Sequence, residues 1–129
     1  MKLLRPGAEC ELVTIDYDAD LADKLAKNEQ LWAMLAEHAE AGAPFILDFF
    51  FYAFSKSASS CLLLKLQDAE YQTSSERRGS PFNRVWAVKG STDPMTLTKP
   101  YLDQWTRSMV EIARSCEAQF DGWGAALPR

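Results

Sequence analysis

One histidine and three cysteines are all the imidazole and thiol chemistry in 129 residues, and each scarcity removes a class of function. A protein-held zinc needs about four Cys, His or carboxylate ligands converging in space. His38 with Cys10, Cys61 and Cys116 offers no such spacing. His38 sits inside the helical pattern LWAMLAEHAEAG, where a lone imidazole reads as a surface or packing residue rather than a base. An odd number of cysteines makes no disulfide framework. Cys61 and Cys116, set among apolar residues, are expected as small buried hydrophobes in a reducing compartment. The phosphate-cradling and nucleophile-elbow patterns GxxxxGKS/T, GxGxxG and GxSxG are absent, and the GWG at 122–124 is followed by only five residues, too few for a helix. No apolar run reaches the roughly 18 residues of a membrane span. The start, MKLLRPGAEC, is too short in apolar residues for a signal peptide. Positive charge is also scarce: 14 basic against 18 acidic residues give a net charge of −4. That sign opposes a general affinity for nucleic acid or an anionic membrane. The expectation is a cytoplasmic, non-enzymatic protein without cofactor or metal.

What is present is core-forming material. With 47% hydrophobic and 25% charged residues, the chain has the profile of one soluble globular domain. A domain of this size buries roughly two thirds of its unfolded surface and needs no staples. Charge is uneven: residues 1–43 carry 4 basic and 9 acidic side chains, 44–97 carry 6 and 5, and 98–129 carry 4 and 4. The acidity therefore belongs to the N-terminal third.

The segment CELVTIDYDAD supplies Leu12, Val13 and Ile15, enough for a short extended piece. From Asp20 to about Ala41 the pattern is helical, with Leu21, Leu25, Trp32, Leu35 and Ala39 on one face, Asp20 as N-cap and Gly42 with Pro44 as the stop. PFILDFFFYAF reads as a strand whose odd positions are all apolar, while its even positions include Asp48 and Tyr52. A helix from about Lys56 to Ala69, capped by Ser55, turns Ala58, Cys61, Leu62 and Leu66 inward. YQTSSERRG has the polarity of an edge strand, and NRVWAVKGS is a second apolar strand centred on Trp86. Residues 98–118 form the clearest helix: Leu102, Trp105, Met109, Ile112 and Cys116 advance by 3 and 4, with Pro100 in the tolerant first turn. AQFDGWGAALPR ends the chain as a short strand broken by glycines. Without its N-terminal helix the order is β-α-β-β-α-β. This predicts an α+β, ferredoxin-like split unit: a four-stranded antiparallel sheet with both helices on one side, plus one extra N-terminal helix.

FDGWG at 120–124, directly after an amphipathic helix, resembles the C-terminal signature of the RraB family, regulators of ribonuclease E activity. The aromatic strand LDFFFYAF at 47–54 and the run RSCEAQFDGWG after the Trp86 strand are similar too. The resemblance covers roughly residues 28–124. It implies a ferredoxin-like domain over 28–129 with residues 1–27 as an N-terminal extension. It also implies a protein inhibitor that binds ribonuclease E and modulates RNA turnover. The strongly acidic tail of the characterised regulators has no counterpart in the five residues after Gly124.

The partner-binding candidates are Asp48, Phe50, Tyr52, Trp86, Asp121, Gly122, Trp123 and Gly124. Asp121-Gly122 suits a turn or bulge, since Gly reaches positive φ freely. Trp123 is then either the anchor of a strand end or a partner-facing hot spot. Phe50, Tyr52 and Phe54, with Asp48, point to the sheet face that the crossover helices leave open, an aromatic surface that something must cover. The cover is the N-terminal segment, a second copy of the chain (a homodimer) or a protein partner. RNA-recognition modules stack bases on this same face. Arg77, Arg78, Arg84 and Lys89 give it a basic edge, but the third strand lacks the aromatics and the protein is acidic, so nucleic acid is the weaker reading.

Overall fold

The computed structural model describes residues 2–4, 12–79 and 85–126. Its elements are strands β1 (Lys2–Leu4) and β2 (Leu12–Thr14), helix α1 (Tyr17–Glu40), β3 (Pro44–Ala53), α2 (Lys56–Asp68), β4 (Gln72–Arg78), β5 (Val85–Ser91), β6 (Met95–Thr96), α3 (Lys99–Ser115) and β7 (Gln119–Ala126). The architecture is α+β, with three helices and a five-stranded antiparallel sheet, beside a separate antiparallel pair β1–β2.

Strand β3 organises the sheet because it is the most apolar. It pairs with β5 along Asp48–Ala53, with β7 along Ile46–Tyr52 and with β6 at Pro44 and Phe45, while β4 adds to β5. The period-two expectation holds: Phe45, Leu47, Phe49, Phe51 and Ala53 are buried, and the residues between them are half-buried or exposed. The buried set faces α2 and α3. Phe49 meets the rings of Tyr71 at 5.1 Å and Trp105 at 6.4 Å, and Phe51 meets Phe120 at 5.0 Å. Trp105 Nε1 donates to the Tyr71 hydroxyl at 3.1 Å. Burial of that phenol pushes its pKa up.

Several expectations are corrected. The sheet has five strands rather than four, because Thr92 turns the chain out of β5 and β6 then continues along the start of β3. The Thr92 backbone N–H donates to the Leu47 carbonyl at 2.9 Å, and its hydroxyl accepts from the Leu47 N–H at 3.0 Å. β7 is one strand carrying a bulge at Asp121 between the Phe50 and Phe51 pairings, not a strand broken by glycines. Helix α1 starts at Tyr17 and is capped by Asp16, which accepts the Ala19 N–H; Asp20 instead holds the Lys24 ammonium at 2.9 Å. Cys61 and Cys116 are not separate thiols. They form a disulfide across 55 residues, because α2 and the end of α3 lie side by side on one sheet face. Hydrophobic pattern places each cysteine on the core side of its helix, but only the tertiary arrangement brings the two together.

The glycine of β5 is a steric requirement. A Cβ on Gly90 would meet the Gln72 carbonyl oxygen and lie 2.6 Å from Phe49 Cζ. Gly90→Ala is therefore expected to lower stability by about 1–3 kcal/mol, as overpacking does, read from the midpoint of urea unfolding.

Tyr17 begins α1 and donates from its hydroxyl to the Ala118 carbonyl at 2.8 Å, tying the helix to the start of β7. Burial raises its pKa to about 12, with Glu117 adding to the rise. The unfolded phenol ionises near pH 10, so between there and about 12 unfolding releases a proton. Stability from this group is complete below pH 10 and falls as pH rises toward 12. Tyr17→Phe should flatten that part of the stability–pH curve relative to wild type.

Candidate functional site

The register of the sheet decides what the open face displays, because residues directly opposite on antiparallel strands share a face. Phe50 faces Lys89 on β5 and Gly122 on β7; Asp48 faces Ser91 and Gly124; Tyr52 faces Ala87. From β4 come Gln72, Ser74 and Glu76, opposite Ser91, Lys89 and Ala87. Phe50 is 43% exposed, an unusual state for a phenylalanine in the middle of a central strand. It lines three adjoining hollows. The largest, about 480 Å³, runs over Asp48, Lys89, Ser91, Gln72 and Ser74. A second reaches Arg78, Ala87 and Asp121. The third crosses the β7 edge to Lys24, Lys27 and Leu31 of α1.

On the β7 side that third hollow is lined by Asp121, Gly122 and Trp123. In Gly122-Trp123-Gly124 the period of two sends both glycines to the open face and the indole to the helical face. Gly122 has φ +140°, a conformation that L side chains rarely adopt, so the bulge itself requires glycine. Gly124 is different: its φ is ordinary and a Cβ there would meet nothing within 4 Å. The fold does not demand its smoothness.

Trp123 is held on the other side. Its Nε1 donates to Asn28 Oδ1 at 2.8 Å. The Asn28 amide nitrogen donates to Thr106 Oγ1 at 2.8 Å and to Asp103 Oδ1 at 3.1 Å, and the Thr106 hydroxyl donates to the Leu102 carbonyl. Lys99 completes the periphery, donating to Asp103 Oδ2 at 2.6 Å and Glu29 Oε1 at 2.7 Å, contacts that raise its pKa. An indole only donates, so the Asn28 oxygen must face it, and both amide hydrogens then find acceptors.

The eight candidates therefore divide. Asp48, Phe50, Tyr52, Gly122 and Gly124 share the open face, with Asp121 at its edge on the bulge. Trp86 pairs with Ala53 and Trp123 with Phe49, which puts both indoles on the helical face, packed against the core. The expected basic edge is split as well, since Arg77 is opposite Trp86 and Arg78 opposite Val85, on different faces. Arg84 lies outside the described residues. Lys89 and Ser91 join the site through the alternation of β5. Asn28 and Lys24 have no hydrophobic signature at all.

Chemically the face offers a flat aromatic patch with mixed charges. Ser91 Oγ donates to Asp48 Oδ1 at 2.5 Å, and Arg78 pairs with Glu76 at 3.4 Å. Among the described residues no three His, Cys, Asp or Glu side chains converge as metal ligands, and no helix is long and apolar enough to cross a membrane. A family profile described as Regulator of ribonuclease activity B, RraB, matches residues 25–125. The chain belongs to the RraB family. That family is one of regulators of ribonuclease activity, not itself a catalytic family. No curated protein matches the chain. The RraB match begins within α1 and ends within β7, so it includes Asn28, Trp123 and the whole open face.

Asn28→Ala would leave the Trp123 N–H and the Asp103 and Thr106 acceptors without their buried partner, at a cost of about 1–3 kcal/mol. In a double-mutant cycle with Trp123→Phe the two losses should fall short of additive by about 0.5 kcal/mol or more. Strict additivity in urea unfolding would mean that the contact contributes nothing.

Proposed function

We propose that this RraB-family chain is a cytoplasmic, non-enzymatic regulator that binds an endoribonuclease, ribonuclease E, through the open sheet face centred on Phe50, and so modulates RNA turnover. The observation that carries the reading is the exposure of Phe50 beside Gly124, a position where neither backbone conformation nor crowding asks for glycine. A partner lying flat on the sheet does ask for it, because a side chain there would hold the two surfaces apart. Asp48, Phe50, Tyr52, Asp121, Gly122 and Gly124 form the contact in this reading, with Lys89 and Ser91 beside them. Trp86 and Trp123 support it from the opposite side.

The same proposal takes β3-α2-β4-β5-α3-β7 as a ferredoxin-like split unit, with β6 as an addition to it. The regulator unit is carried by residues 28–129, and residues 1–27 are an extension that contributes the first turns of α1. The strand order β4-β5-β3 with β7 on the far flank of β3 supports this assignment.

The test is a binding titration of the full chain against the C-terminal half of ribonuclease E. Wild type should bind in the micromolar range or tighter. Phe50→Lys and Gly124→Val should weaken binding at least tenfold, about 1.4 kcal/mol or more, with melting temperatures close to wild type. No wild-type binding at micromolar concentration removes ribonuclease E as the partner. Unchanged binding by both variants removes the face. If light scattering shows a stable dimer that Phe50→Lys dissolves, the face is instead covered by a second copy.

A further inference from the structure

We propose that Cys61 and Cys116 form a reversible thiol–disulfide switch, whose dithiol and disulfide states share the native fold and differ in how firmly the turn from α3 into β7 is held to α2. The proposal rests on the fold and the two sulfurs, not on the identity of any partner.

The fold brings the sulfurs together without depending on the bond. Helix α2 is seated on the sheet by Ala58, Leu62 and Leu66, and α3 by Leu102, Trp105, Met109 and Ala113, all buried. A core of this size sustains a domain without covalent staples. The two Cα atoms lie 5.5 Å apart, inside the range that a disulfide spans without backbone movement. Closing or opening the bond therefore leaves the helices where packing puts them.

The two sulfurs differ in access. Cys61 is half-buried, whereas Cys116 is 4% exposed. In reduction, the thiolate of a small-molecule thiol attacks Cys61 Sγ, forming a mixed disulfide as the Cys61–Cys116 bond breaks. Cys116 leaves as a thiolate and takes a proton from solvent. A second thiol then attacks the mixed disulfide, freeing Cys61 and leaving the reagent as its own disulfide. Oxidation by a small-molecule disulfide runs the same steps in reverse. In a reducing compartment the dithiol is the resting state, and an oxidising episode closes the bond.

What the bond holds is the lead-in to the candidate site. Cys116 is the C-cap of α3; Glu117 follows in a left-handed conformation at φ 58°. Ala118 then donates its N–H to the Ala113 carbonyl at 2.9 Å and accepts from Tyr17 at 2.8 Å, and β7 begins at the next residue. Closing the bond clamps this turn to α2, which otherwise packs mainly on β3, β4 and β5.

The test uses the full chain in a Cys10→Ser background, equilibrated with reduced or oxidised glutathione. The oxidised sample should resist maleimide and yield a crosslinked Cys61–Cys116 peptide. The near-ultraviolet circular dichroism of the two samples should superimpose. The reduced form should melt lower by roughly 10 °C or more, given the length of chain enclosed, and exchange its β7 amides faster. Cys61→Ser should melt like the reduced form in both buffers. Three results would each overturn the proposal: thiols that stay reactive in the oxidising buffer, a reduced chain without native near-ultraviolet signal, or Cys61→Ser melting like the oxidised protein.

Discussion

The buried amide of Asn28 is the constraint on which the rest of this structure depends. Its side chain is fully buried, and a buried amide is stable only when every donor and acceptor is matched. Here the matches for Asn28 on α1 come from two other elements: Trp123 on β7, and Asp103 and Thr106 on α3. Such a network works as a registration device. Sliding α1 by one turn, or β7 by one residue, would strand several polar groups in the core at once. Purely apolar contacts between α1 and α3 would tolerate such shifts far better.

From that registration the open face follows. Once Trp123 is committed to Asn28, period-two alternation leaves Gly122 and Gly124 no choice but to face the other way. The strand edge beside Phe50 is bare as a consequence. One short sequence thus serves two opposite purposes, with an indole that anchors the strand inward and two glycines that clear its outer surface. The helical layer carries the core, and the open face is the contact surface that the proposed function assigns.

Much of this was legible in the sequence, for identifiable reasons. The β3 alternation, the Ser55 cap, the α3 stripe and the polar β4 edge all rest on local periodicity, and local periodicity survives into the fold. What was not legible involves partners distant along the chain. Asn28 and Lys24 sit at helical spacing on the buried side of α1, but a polar residue in an apolar stripe carries no hydrophobic signal. Trp86 and Trp123 were named as partner-surface candidates, with the anchor of a strand end as the other reading of Trp123; strand register, which sequence pattern does not supply, puts both on the helical face. The Cys61–Cys116 bond is of the same kind, a product of two crossovers meeting rather than of any spacing.

The central claim is that partners meet the Phe50 face and not the helical layer behind it. Site-specific photo-crosslinking tests it most directly. A benzophenone amino acid is placed at Phe50 in one protein. In another it is placed at Leu64, which is 65% exposed on the outer side of α2. Each is irradiated with the C-terminal half of ribonuclease E. The account predicts a crosslinked product from position 50 and none from position 64. Capture from position 64 with none from position 50 would contradict it.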